Sequence, residues 1–162
     1  MPLFGSKSAS HQLRVLTLDY VVDGTADISG QNLIRLFVLT GATMRAASGS
    51  TPPAPRGSTW AIGEDQAAVI GVAPVDEGGH EALLKFVVTG KHQLQADVYT
   101  GPYRVRGTIL APDDDPKVLV NLGRLMVRDA EVECLAPGAG LGVWQAPSVL
   151  LFMNQLQGLV LA

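Results

Sequence analysis

The stretch Val15-Leu16-Thr17-Leu18-Asp19-Tyr20-Val21-Val22-Asp23-Gly24-Thr25 recurs as Val98-Tyr99-Thr100-Gly101-Pro102-Tyr103-Arg104-Val105-Arg106-Gly107-Thr108. Val, Thr, Tyr, Val, Gly and Thr coincide at six of the eleven positions without a gap. Such self-similarity is the trace of a repeated supersecondary unit, and it decides the architecture before any single strand is placed. Around both copies apolar and polar residues alternate with a period of two, the pattern of a strand with one buried face. Val98, Tyr103, Val105, Gly107, Ile109, Ala130, Val132 and Cys134 fall on apolar faces, and Asp97, Arg104, Arg106, Glu131 and Glu133 on the opposite ones.

Outward from the quoted stretch, each copy enters a polar loop ending in asparagine, Ser29-Gly30-Gln31-Asn32 in the first and residues 113–121, closing on Asn121, in the second. Leu36-Phe37-Val38-Leu39-Thr40-Gly41-Ala42-Thr43-Met44 then lies over Arg124-Leu125-Met126-Val127-Arg128-Asp129-Ala130-Glu131-Val132. A short hairpin ends each copy, turning at residues 63–66 and 154–158. Matched blocks in the same order point to internal duplication. The expected fold is all-β: two tandem small antiparallel β-barrel-like units, at residues 13–73 and 83–162, behind a flexible tail (residues 1–12) and joined by a linker (residues 74–82). Residues 83–94 either extend the second unit or bridge the two.

Turn chemistry at Asp23-Gly24, Gly101-Pro102, Pro112-Asp113-Asp114-Asp115-Pro116 and Pro137-Gly138 punctuates the strands. Helical periodicity is weak. Its best candidate is residues 80–88, and there Lys85-Phe86-Val87-Val88-Thr89-Gly90-Lys91 reads as a strand and turn. Residues 48–58, with Pro52, Pro53 and Pro55, read as an exposed, mobile loop. A half-unit of this length buries too little surface to stand alone, so closure and docking against its twin are expected.

Composition bears on function. The chain is 47% apolar and only 17% charged, against a usual charged share of about 25%. A surface short of charge implies either that another copy or a partner covers part of it or that the exterior is neutral and rich in Ala, Gly and Thr. The net charge of −3 contains no basic block, which gives polyanion binding no electrostatic footprint. Cys134 is the sole cysteine, so no intrachain disulfide and no cysteine zinc cage forms, and its alternating setting reads as a buried structural thiol. No leader and no run long enough to span a membrane is apparent, and a cytoplasmic location is the expectation.

The order of elements, a bent hairpin with glycine on its second strand, a loop with Asn32 or Asn121, an apolar strand and a closing hairpin, resembles the Sm-like small barrel. In that family a loop asparagine and an Arg-Gly in the closing hairpin hold a uridine base in rings of barrels. Here the hairpins carry Ile62-Gly63-Glu64 and Met153-Asn154-Gln155, without the arginine. Asp27-Ile28-Ser29-Gly30-Gln31-Asn32 is similar to the Asp-x-Ser-x-x-Gly segment of the PilZ barrel, which binds a cyclic dinucleotide. Asn32 replaces the last glycine, and of the paired arginines only Arg14 stands upstream.

Other motifs carry little chemistry. His11, His80 and His92 are scattered where no metal or catalytic set converges. Asp113-Asp114-Asp115 lacks the alternate spacing of a calcium loop and reads as a solvated hairpin tip. Gly138, Gly140 and Gly142 lead into a strand rather than the helix a dinucleotide loop opens. Trp60 and Trp144 are anchors for packing or interaction, and the recurring Tyr20 and Tyr103 read as core or inter-copy packing. Leu3 and Phe4 form an apolar pair in the tail, read either as a docking peptide or as part of a merely disordered tail. The expected function is that of a non-enzymatic structural or adaptor protein that forms a homo-oligomer or joins a larger protein complex, without metal or cofactor. The alternative is a nucleic-acid or nucleotide binder with Asn32, Arg35, Asn121 and Arg124 at the ligand.

Overall fold

The computed structural model describes residues 10–27, 36–49, 56–72, 77–138 and 141–162, most of them in strands. The chain runs through β1 (Ser10–Thr17), β2 (Tyr20–Asp27), β3 (Leu36–Ala46), β4 (Thr59–Gly63), a 3-10 turn at Glu64–Gln66 and β5 (Ala67–Val72). Helix α1 (Glu77–Leu84) leads to β6 (His92–Thr100), β7 (Tyr103–Ala111), helix α2 (Pro116–Asn121), β8 (Arg124–Cys134) and β9 (Val143–Phe152). A second 3-10 turn at Met153–Gln155 precedes β10 (Leu156–Leu161).

All ten strands pair into one sheet, in the order β10-β6-β7-β8-β9-β5-β1-β2-β3-β4. Every pairing is antiparallel. Split at its middle, the sheet yields β5-β1-β2-β3-β4 and β10-β6-β7-β8-β9, two blocks with the same internal order.

The irregularities also fall at matched places. Between β1 and β5 the register slips beside Leu16 and Thr17, passing over Ala68, and between β6 and β10 it slips beside Tyr99 and Thr100, passing over Gln157. In the β2·β3 ladder Gly24 faces the two residues Gly41 and Ala42, and in β7·β8 Gly107 faces Asp129 and Ala130. Gly41 and Asp129 both adopt positive φ, +57° and +50°, as the first residue of a bulge of this kind does. Glycine is a steric requirement opposite the bulge. A Cβ on Gly24 would lie 3.0 Å from Leu39 Cβ, and one on Gly107 would lie 2.6 Å from the Arg128 carbonyl oxygen. Cross-strand ion pairs match with their signs exchanged: Arg14 Nε is 2.7 Å from Asp23 Oδ1, and Arg106 Nε is 2.8 Å from Asp97 Oδ1.

Two hydrophobic clusters form the core, and the central strands feed both because successive side chains point to opposite faces. Val69 of β5 and Leu151 of β9 join one cluster with Leu16, Tyr103 and Val132. Ile70 and Leu150 join the other with Leu13, Leu39 and Ile62. Strands buried on both faces read as continuous apolar runs, and Ala67-Ala68-Val69-Ile70 and Val149-Leu150-Leu151-Phe152 are such runs.

Several expectations need correcting. No strand pairing among the described residues closes either block into a barrel, because β5 pairs with β9 rather than returning to β4, which leaves the sheet open. Residues 85–91 form no strand; helix α1 ends at Leu84 instead, with Leu83 fully buried in the second cluster. The acidic run is a helix start: Asp115 Oδ1 accepts from Lys117 N–H at 2.9 Å, Asp113 Oδ1 accepts from Asp115 N–H at 2.8 Å, and Pro116 occupies the first turn of α2. Ser48, expected to be exposed, is buried, and Gly49 N–H donates to the Pro137 carbonyl, while residues 50–55 with their three prolines lie outside the described residues. Cys134 is half-buried against the first cluster. No helix among the described residues is long and apolar enough to cross a membrane.

Candidate functional site

The seam between the blocks is a three-pair ladder, Val69↔Leu151, Ile70↔Leu150 and Gly71↔Val149. Trp144, only 8% exposed, covers it. Its ring lies so close to Gly71 that a Cβ there would fall 1.7 Å from Cη2. The Arg14 guanidinium stacks 5.0 Å above the Trp144 ring while both its Nε and Nη2 donate to Asp23, at 2.7 and 3.1 Å. A charge held by a carboxylate and by an aromatic face is fixed in orientation. The cleft in front, about 470 Å³, is bounded by Gln12, Arg14, Asp23, Thr25, Thr43 and Trp144.

At the other end of the seam Arg124 of β8 donates from Nε and Nη2 to Glu64 Oε1, at 3.1 and 2.8 Å, and lies 5.4 Å over the Phe152 ring. Asn154 Nδ2 donates to the Asp65 carbonyl at 3.1 Å. The first pair ties β8 to the first 3-10 turn, and the Asn154 bond ties the two 3-10 turns together across the blocks. The adjoining cleft, about 650 Å³, has Glu64 and Asp65 on its rim beside the apolar Val120 and Met153. Arg124 is thus paired with Glu64, and the charged residues among those lining the cleft are acidic.

A third contact crosses the blocks in the core. The fully buried Tyr103 hydroxyl donates to the Thr17 carbonyl at 2.6 Å. Burial pushes this phenol well above its ordinary pKa, and Cys134 and Asp19 push it further. Its counterpart Tyr20 instead packs its ring 5.5 Å from that of Trp60.

The sheet ends on β4, Thr59-Trp60-Ala61-Ile62-Gly63, and on β10, Leu156-Gln157-Gly158-Leu159-Val160-Leu161. Neither strand has a charged residue or a proline. Among the described residues no strand pairs with the outer side of either. Val160 is 56% exposed. Natural proteins blunt free edges with charges, prolines or covering elements, so two neutral edges without an outer strand neighbour among the described residues are unusual.

Comparison with protein-family models, curated proteins and solved structures finds no match. The residues of the chain therefore carry the functional argument.

Of the residues singled out in the sequence, Leu3, Phe4, Asn32 and Arg35 lie outside the described residues. Asn121 is exposed at the end of α2, and Arg124 faces Glu64. Trp144 is spent on the internal seam, and half-buried Trp60 sits on the open edge strand β4. No local pattern in the sequence announces Glu64 or Gly71, whose partners Arg124 and Trp144 lie far along the chain. Among the described residues no group of three or more His, Cys, Asp and Glu side chains converges.

Proposed function

We propose that this chain is a non-enzymatic assembly protein, made of two five-stranded β units derived by internal duplication, that builds a homo-oligomer or a subunit of a larger protein complex. Duplication is supported by the shared strand order, the bulges at matched positions and the repeated residues 15–25 and 98–108. The observation that carries assembly is the pair of neutral edge strands β4 and β10, neither of which has an outer strand neighbour among the described residues. An exposed row of backbone N–H and C=O groups is a template for another strand. The low charge of the chain agrees with a surface that is covered in use.

A nucleic-acid or nucleotide binder, with Asn32, Arg35, Asn121 and Arg124 around the ligand, has weaker support. A phosphate needs an available cation, and Arg124 is committed to Glu64 beside Asp65.

Size-exclusion chromatography with light scattering tests the reading. Assembly predicts a mass of at least twice the 17.0 kDa of one chain, and an absorbance ratio at 260 and 280 nm typical of protein alone. A single-chain mass for the purified protein, with no partner retained, argues against it.

A further inference from the structure

We infer that the β10 edge of one copy pairs antiparallel with the β4 edge of a second copy, in the register that β5 and β9 use within the chain. The inference rests on the assembly reading and names its contact. At the seam, the fifth strand of the first block pairs with the fourth strand of the second. Among the described residues, the strands with no outer neighbour are the fifth strand of the second block and the fourth of the first. The chain thus exposes the two halves of a contact that it already makes once internally, and a second copy completes it.

The ladders fix the register. Leu36↔Gly63 and Thr40↔Thr59 in β3·β4 correspond to Arg124↔Phe152 and Arg128↔Ser148 in β8·β9, which sets Ile62 against Leu151, Ala61 against Leu150 and Trp60 against Val149 as equivalents. Thr17↔Ala67 and Leu16↔Val69 correspond to Thr100↔Leu156 and Tyr99↔Gly158, so Val69, Ile70 and Gly71 are equivalent to Gly158, Leu159 and Val160. Transferring the seam pairs Val69↔Leu151, Ile70↔Leu150 and Gly71↔Val149 gives Gly158 opposite Ile62, Leu159 opposite Ala61 and Val160 opposite Trp60 of the next copy.

The chemistry of the edges fits this occupant. Both strands are neutral, so no like charges meet, and the exposed Val160 falls against the half-buried Trp60. Apolar and aromatic cross-strand pairs stabilise such ladders. The contact uses different edges on the two copies, is head-to-tail, and propagates from copy to copy.

Paired cysteines test it in a Cys134→Ser background, with circular dichroism verifying the fold of each variant. Directly opposed residues alternate between hydrogen-bonded and closer non-hydrogen-bonded pairs. One of the two variants Ala61→Cys/Leu159→Cys and Trp60→Cys/Val160→Cys therefore has the closer geometry. Mild oxidation should convert at least one into a ladder of disulfide-linked multimers on a non-reducing gel. The mismatched Ala61→Cys/Val160→Cys, whose thiols fall on opposite faces, should remain single-chain. In the unmodified protein, amide exchange in β4 and β10 should slow as concentration rises, with β2 and β7 unchanged. An oligomer by light scattering that gives neither a ladder nor edge protection overturns this contact and leaves self-assembly standing. A single-chain mass at every concentration removes both. A ladder from the mismatched variant equal to that of the matched ones overturns the register.

Discussion

Trp144 lies against Gly71 with no space between them for a methyl group: a Cβ on Gly71 would fall 1.7 Å from Cη2 and 2.7 Å from the neighbouring ring carbons. The indole belongs to the second block and the glycine to the first, so their fit measures how tightly the seam is packed.

Gly71→Ala should therefore destabilise the protein by about 3 kcal/mol, the upper range for overpacking a filled site. In a Trp144→Leu background, where the ring is gone, the same change should cost less than about 1 kcal/mol. Urea unfolding of the four proteins at one fixed concentration gives the coupling, and equal costs in both backgrounds would contradict this packing.

Tyr103→Phe removes the hydroxyl that donates to the Thr17 carbonyl at 2.6 Å in a fully buried setting. Leaving that carbonyl without its partner should cost about 1 to 3 kcal/mol. Tyr20→Phe serves as the comparison, since the recorded contact of Tyr20 is ring against ring. Loss of similar stability in both would show that the bridge contributes nothing.

Thr17 and Thr100 occupy matched positions before the first turn of each block, but only Thr17 Oγ1 serves its turn, accepting from Tyr20 N–H at 2.9 Å. Among the described residues Thr100 Oγ1 has no hydrogen-bond partner, although it is buried. Thr100→Val should be neutral or stabilising by up to about 1 kcal/mol, while Thr17→Val should destabilise. Thermal melts of the two variants decide this directly.

His80 sits at the start of α1 with its pKa lowered by burial and by the charge of Arg128, against an opposing pull from Glu81. A histidine harder to protonate when folded makes the unfolded chain bind more protons below its ordinary value of 6.5. Its contribution to stability is complete above pH 6.5 and declines as pH falls through the folded pKa. His80→Gln should flatten the stability profile over that window. An unchanged slope would assign the pH dependence to other groups.

Much of the fold was legible because period-two alternation and the recurring block record local strand geometry. Residues 36–44 and 124–132, aligned by pattern, occupy matching ladder positions down to the bulge at Gly41 and Asp129. The helix α1 was legible only as the weak helical candidate at residues 80–88, which overlaps its C-terminal part. Gly78 and Gly79 disfavour a helix, and it is held by burial of Leu83 in a core assembled from distant strands. The α2 signal was present as Asp115-Pro116, a cap followed by a first-turn proline, and was read as a turn because the two patterns share those residues. For the site, Trp60 and Trp144 were found by type, but their different fates, an open edge and an internal seam, depend on which strand β5 chooses as neighbour. That choice joins segments about 80 residues apart in the chain, beyond the reach of any local pattern.

The reversed ion pairs at Arg14–Asp23 and Asp97–Arg106 have a further effect while the chain is folding. Two hairpins this alike invite exchange of partners. Were β1 to meet β7 in the alignment it uses with β2, Arg14 would confront Arg106, and β6 meeting β2 would set Asp97 against Asp23. Like charges directly opposite each other repel, so the polarity inversion disfavours those swapped pairings relative to the native ones.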